Sequence, residues 1–313
     1  MGKEDDILAS VLNKRKIKLD SEEDNAFTKP IFYIFGDKGV GKTTAALTLP
    51  GTHGVISLDR KAKRIKDQIV KRDPTAASRI HIYDGVRYMS GNRDALTEDS
   101  FISLKYIVKL LNEMPPVDWV TIDATEVLLT ICEMTMRYLN RLDPFVGFKD
   151  WTLWKQRNAY VSEIHRLTYS HARVSPIYTG FSNTISKLTE RGIEETDEVP
   201  KWVDEIKSES DIVIKITRHL HGDTKTASQF ATIITSKLDT LLRTGDVIEL
   251  SNYRPLLSVK QIEEALIQRP EVTLTSFNAV SPQTLPSPPN NPSNTTTSTT
   301  TPTEPGARSE LNF

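Results

Sequence analysis

Apolar positions along the chain follow two rhythms. Ile31-Phe-Tyr-Ile-Phe35 is an unbroken apolar run rich in β-formers, set between Pro30 and Gly36. That is the pattern of a strand buried on both faces. Gly54–Leu58 and Arg79–Tyr83 are shorter runs of the same kind, and Val117–Ile122 is another, ending at Asp123. Between them, Phe101, Leu104, Ile107, Val108 and Leu111 recur at helical spacing over 101–113. Residues 126–141 and 151–172 predict further helices, and Pro176–Phe181 predicts a strand. Strands alternating with helices imply an α/β fold with a mostly parallel sheet.

The rhythm changes after residue 182. The stretch 184–210 is polar and acidic and predicts a long mobile loop. Asp211–Thr217 and Phe230–Ser236 flank a polar stretch containing Gly222-Asp223, which predicts a late antiparallel hairpin. Residues 258–268 predict a last short helix. At the other end, Ile7, Leu8, Val11 and Leu12 are spaced for an amphipathic helix. A basic run, Lys14–Lys18, and an acidic one, Glu22–Asp24, follow. The reading is a charged N-terminal arm over 1–29, with a solvated tail and a subunit-docking segment both open. Val272–Thr303 holds no charged residue and is made largely of Pro, Ser, Thr and Asn. Such a composition cannot bury enough surface to offset chain entropy, so 279–313 is expected to be a disordered C-terminal tail. That leaves 30–278 as the P-loop domain, for the reason given next.

Gly36-Asp37-Lys38-Gly39-Val40-Gly41-Lys42-Thr43 fits G-x-x-x-x-G-K-[ST] at every fixed position, with a strand before it and Thr44 opening a helix after it. The glycines let backbone N–H groups wrap a polyphosphate, and the helix N-terminus adds a favourable dipole. In this pattern Lys42 neutralises β/γ-phosphate charge and Thr43 ligates Mg²⁺. Gly36 to Thr44 are therefore the candidate nucleotide-binding residues. A second carboxylate-bearing strand tip is needed for the metal, and Val120-Thr121-Ile122-Asp123 supplies it, with Asp123 at the carboxyl end where ligands sit in α/β sheets. Thr43 and Asp123 are the candidate metal residues. Glu126 lies too far beyond Asp123 to be an adjacent catalytic Glu, and a helix starting after Asp123 is expected to turn it elsewhere.

Charge and composition narrow the partners. The 313 residues carry 40 Lys+Arg against 41 Asp+Glu, a net charge of -1, so any nucleic-acid contact must come from a local basic patch. One cysteine, Cys132, forms no intramolecular disulfide, and no Cys/His cluster has zinc spacing. No apolar run approaches the ~18 residues of a membrane span, and the acidic N-terminus is no secretory signal. The expectation is a cytoplasmic chain (host cytoplasm if viral) with no membrane partner.

Within P-loop proteins, Asp37 stands where partition-type ATPases carry an extra lysine, and no N-K-x-D base-reading motif of GTPases is present. The acidity of 184–210 suits the lid of a small-molecule kinase poorly. Over roughly residues 30–255 the chain resembles the RecA-like ATPases. In particular it resembles phage and archaeal-virus nucleotide-binding proteins of the Sak4-related single-strand annealing group. The resemblance rests on Gly36–Thr44, on Val55–Asp59, on Val120–Asp123 about 80 residues past the P-loop, and on the late strands. It implies ATP and Mg²⁺ as cofactors, a homo-oligomer, single-stranded DNA as a partner, and ATP hydrolysis serving recombination, annealing or replication of a virus or mobile element.

Departures from that pattern are informative. Asp59-Arg60-Lys61 puts Lys61 where the family's catalytic Glu falls, leaving Asp59 as the candidate for orienting water beside Lys42 and Asp123. Lys61 favours an alternative, a nucleotide-gated DNA-binding or assembly module with little turnover. A small-molecule phosphotransferase is the other. Ser182 and Asn183 are candidate γ-phosphate sensors. By the resemblance, Lys237 stands where a cation borrowed by a neighbouring subunit would sit, and Lys215 and Arg218 lie on the preceding strand. Arg60, Lys61, Lys63, Arg64, Lys66, Lys71 and Arg72 form a basic stretch for phosphate contact. The segments 184–210 and 219–229, with His219, His221 and Lys225, are the candidate DNA loops, while Trp151, Trp154 and Trp202 are expected to be packing residues.

Overall fold

The computed structural model describes residues 29–147, 150–189, 192–201, 204–220, 227–238, 241–250 and 253–266. The predicted arm up to residue 28, His221, Lys225, Trp202 and the Pro/Ser/Thr/Asn-rich tail lie outside the described residues. In chain order the first elements are β1 (Phe32–Gly36), α1 (Lys42–Leu47), β2 (His53–Ser57), α2 (Ala62–Val70), α3 (Ala76–Arg79) and β3 (Ile80–Asp84). There follow α4 (Leu96–Glu113), β4 (Val117–Asp123), α5 (Thr125–Leu139), α6 (Trp151–His171) and β5 (Ala172–Thr189). The last are β6 (Gly192–Pro200), α7 (Asp204–Lys207), β7 (Ile212–Leu220), β8 (Ala227–Ser236), β9 (Val247–Glu249) and α8 (Val259–Leu266).

One sheet runs β3-β2-β4-β5-β1-β7-β8-β9, with β6 paired to β5. The pairings of β1 with β5 and β7, of β2 with β3 and β4, and of β4 with β5 are parallel. Those of β7 with β8 and β8 with β9 are antiparallel, so the late hairpin is present. With the glycine-rich loop at the tip of a central strand, this is the mostly parallel α/β architecture expected from the sequence. The unbroken run in β1 is explained by burial on both sides. Tyr33 and Phe35 enter one core with Ile107, Leu128 and Ile164 of α4, α5 and α6, while Phe32 and Ile34 enter another with Ala45, Trp119, Leu257 and Ile262. Burying each such side chain contributes about 1.5–3 kcal/mol.

Two departures from the sequence reading matter. Part of the stretch expected to be a mobile loop is an antiparallel ribbon, over 182–189 and 192–200. β5 continues to Thr189 and pairs with β6, from Ser182↔Pro200 to Thr189↔Gly192. Backbone pairing alone satisfies such a ribbon, so it shows no apolar periodicity. The helix expected from 101 begins at Leu96.

Beneath the sheet edge, His53 is fully buried at the start of β2. Its Nε2–H donates to Leu49 O at 2.8 Å, and its ring stacks on Trp119 with centroids 6.3 Å apart. Burial pushes its pKa down to about 3.

Candidate functional site

The strand order decides what meets at the carboxyl edge. β5 lies between β1 and β4, so the loop after Gly36 and the carboxylate of Asp123 flank the Thr179–Phe181 stretch. Gly36 has φ +148, and a Cβ there would collide with the backbone carbonyl of Ile216 on β7. Gly41, at φ +103, precedes α1 in a left-handed conformation that an L side chain resists. β8 braces this loop, because Gln229 Nε2 donates to Val40 O at 2.9 Å.

Within the loop, the Lys42 ammonium donates to Gly36 O at 2.9 Å and Asp37 O at 2.8 Å, and sits 4.6 Å from the Phe181 ring centroid. Ser182 donates its hydroxyl to Asp37 Oδ1. On the metal side, Thr43 Oγ1 donates to Asp123 Oδ1 at 2.8 Å, and Thr179 Oγ1 donates to the same oxygen at 2.6 Å. Asp123 is only 3% exposed, and its Oδ2 is buried without a hydrogen-bond partner among the described residues. Burial drives its pKa up, with the nearby Asp59 charge adding to the rise, against the two hydroxyl bonds and Lys42.

The next residue, Ala124, takes the left-handed conformation at φ 75. Its N–H donates to Thr179 Oγ1 at 3.0 Å, and Thr125 Oγ1 donates to Thr179 O at 3.0 Å. That reversal starts α5 immediately at the strand tip and carries Glu126 into the cleft, correcting the expectation that Glu126 turns elsewhere. Its Oε2 is buried and meets no partner among the described residues, and burial raises its pKa. Lys42 is shifted downward, chiefly by burial, with Glu126 the strongest of the carboxylates opposing the shift.

These groups share a cavity of about 770 Å³. Lys38, Lys42, Lys61, Arg64, Arg72 and Arg218 line it against Asp59, Asp123 and Glu126, six cations to three carboxylates. Such a balance suits a polyanion. Ile65, Gln68 and Arg72 of the α2 region line it too, as does Tyr253, whose ring centroid lies 4.3 Å from the Arg72 guanidinium carbon.

The other sequence candidates fall out as follows. Asp59 and Lys61 both line the cavity but bond to each other. Lys61 Nζ sits 2.7 Å from Asp59 Oδ2, and Lys61 N–H donates to Asp59 Oδ1 at 3.0 Å. Asn183 is exposed and does not line the cavity. Lys215 pairs with Glu198 at 3.0 Å and Lys237 with Asp211 at 3.2 Å, while Arg218 lines the cavity. The basic stretch divides. Arg60 binds Val86 O and pairs with Asp84, Lys66 binds Ala77 O and Ile80 O, and Arg64 and Arg72 face the cavity. Trp151 is not a packing residue; it is 63% exposed with Lys155 Nζ 3.8 Å from its ring centroid. Thr179, Gln229 and Tyr253 join the site without any local motif to announce them.

No protein-family model and no curated protein matches the chain. Among solved structures, it is similar to flagellar accessory protein FlaH from Methanocaldococcus jannaschii, at 12% identity and a TM-score of 0.40, over 74% of this chain and 92% of that one. It is also similar to the KaiC-like protein PH0186 from Pyrococcus horikoshii, at 13% identity and a TM-score of 0.35, over 71% of this chain and 84% of that one. Neither likeness bears on what the site does.

Proposed function

We propose that the chain is a Mg²⁺-dependent ATP-binding protein of the RecA-like P-loop kind and hydrolyses ATP. The observation that carries this reading is the Thr43–Asp123 hydrogen bond, in a net-cationic cavity that Lys42 also lines. The residues fit both cofactors. Mg²⁺ is commonly held by one or two protein oxygens plus phosphate oxygens and water, and the Thr43 hydroxyl with the Asp123 carboxylate, one oxygen of it orphaned, makes such a set. Bound there, the metal would neutralise charge on the β- and γ-phosphate oxygens. The chain's own residues do the rest. Loop residues Lys38 to Thr44 cradle the phosphates, Lys42 exchanges two carbonyls for phosphate oxygens, and Thr179 holds Asp123 in register.

The Arg72–Tyr253 pair in the cavity lining supports a place for the base. Arg72 stacked on Tyr253 offers a flat cationic surface. Tyr253→Ala is expected to weaken ATP binding about tenfold while leaving inorganic tripolyphosphate binding within about twofold, as titration calorimetry of both ligands would report.

The finer reading, ATP use in recombination, annealing or replication of a virus or mobile element by an intracellular homo-oligomer, draws on the Sak4-related resemblance. Exposed aromatic–cation pairs such as Trp151–Lys155 and Phe145–Arg93 support contact with single-stranded DNA. The test is Mg²⁺-ATP hydrolysis with and without single-stranded DNA. Stimulation supports this role, and turnover indifferent to DNA removes it. One observation favours the nucleotide-gated module with little turnover: Asp59, the water-orienting candidate, is held by Lys61.

A further inference from the structure

We infer that Glu126 is the general base that takes the proton from the attacking water; this rests on the ATPase reading above. Three structural facts point to it. The first is position. The left-handed Ala124 and the bonds tying Ala124 and Thr125 to Thr179 begin α5 at the strand tip, so Glu126 lines the same cavity as Lys42 and Asp123. The second is an open acceptor. Oε2 of Glu126 is buried and unpartnered among the described residues, and a buried carboxylate oxygen without a donor costs free energy that a structural role would not explain.

The third is elimination among the cavity carboxylates. Asp123 is committed to Thr43 and Thr179 through Oδ1. Asp59 accepts from the Lys61 backbone through one oxygen and pairs with the Lys61 ammonium through the other. The free oxygen of Asp123 is the one assigned above to the metal, which leaves Glu126 as the carboxylate with an oxygen to offer to water. Its charge also opposes the downward shift of Lys42, ahead of Asp123, Asp37 and Asp59.

In the step, the water oxygen forms a bond to the γ-phosphorus while a water proton passes to Glu126 Oε2. The bond from the γ-phosphorus to the bridging oxygen breaks, and its electron pair leaves on the β-phosphate of ADP. The proton is then released to phosphate or solvent. A base so placed contributes about 10²–10⁴-fold. A sequence departure is thereby accounted for: where Lys61 replaces the expected Glu after β2, the carboxylate comes from the first turn of α5 instead.

The experiment compares full-length wild type, Glu126→Gln and Asp59→Asn. It reads single-turnover hydrolysis of Mg²⁺-ATP, equilibrium Mg²⁺-ATP affinity, and thermal midpoint as the folding control. Expected is a loss of at least about a hundredfold in the hydrolysis rate of Glu126→Gln, with affinity within about threefold of wild type. Three results overturn the assignment: Glu126→Gln hydrolysing within threefold of wild type, affinity falling in parallel with rate, or a larger rate loss at Asp59→Asn. Wild type that binds Mg²⁺-ATP without hydrolysing it overturns the ATPase reading itself, and the base with it, so the two failures are told apart. If Glu126→Gln is destabilised, Glu126→Asp decides. It keeps the carboxylate but draws it back by one methylene, and a rate equal to wild type counts against Glu126.

Discussion

Lys42→Ala is expected to lower the rate of Mg²⁺-ATP hydrolysis by about a thousandfold or more and to weaken ATP binding by at least about tenfold. A positioned cation on the transferring phosphoryl group is among the largest single contributions in such sites. Here its weight is increased by burial, which strips Lys42 of water and strengthens its interaction with any anion that enters. Its ammonium rests on Gly36 O and Asp37 O, the second of which is exposed and open to water. Folding should therefore survive the substitution, with a thermal midpoint within a few degrees of wild type. Lys42→Arg should rescue little, since a planar fork does not fit a pocket shaped around a point charge. Calorimetric ATP titration, single-turnover hydrolysis and a thermal melt check these four statements. Hydrolysis by Lys42→Ala within tenfold of wild type would remove the P-loop from the chemistry.

The second large effect is on stability. His53 is neutral in the fold, with its pKa pushed down to about 3, whereas an unfolded histidine titrates near 6.5. The sign follows from proton uptake. Above the unfolded value neither state is protonated and the contribution is complete; as pH falls toward the folded value, only the unfolded chain takes the proton and stability is lost. By about pH 4.5 the loss attributable to His53 is about 3 kcal/mol. Asp123 and Glu126 titrate with the opposite sign, because their folded pKa values are raised, so they offset part of the fall in acid. The difference between wild type and His53→Leu isolates the histidine. Leucine keeps an apolar face against Trp119, and Leu49 O retains Arg79 as a donor at 3.2 Å. Urea midpoints from pH 7 to pH 4.5 should fall by about one proton's slope less in the variant. Parallel curves would contradict the prediction.

The parts of this molecule that burial dictates were readable in the sequence. β1 is apolar throughout because helices cover both sides, and the glycine spacing after it has few uses other than to bend a loop around phosphate. What resisted reading had other causes. The β5–β6 ribbon is polar along its length, and polarity reads as loop. Glu126 depended on one backbone conformation, at Ala124, which sets where the turns of α5 begin. Gln229 and Tyr253 reach the site from the far end of the chain, through sheet order and packing that no local pattern encodes. The basic stretch 60–72 is plain in the sequence, but only the fold separates the cations facing the cavity from those fastened to backbone carbonyls.

The placing of β1 between β5 and β7 also fixes an order of events during synthesis. The strand that carries the P-loop emerges early, yet both of its partners are more than a hundred residues downstream: Phe32 pairs with Ile177 on one side and with Ile212 on the other. Closing loops of that length is slow relative to making local contacts. Until β7 has arrived to lie under Gly36 and Gln229 to hold Val40, the glycine loop has neither floor nor brace. A nascent chain stalled before residue 212 thus carries the whole motif but cannot form the pocket. Acquisition of ATP affinity would mark completion of the sheet, not the appearance of the motif.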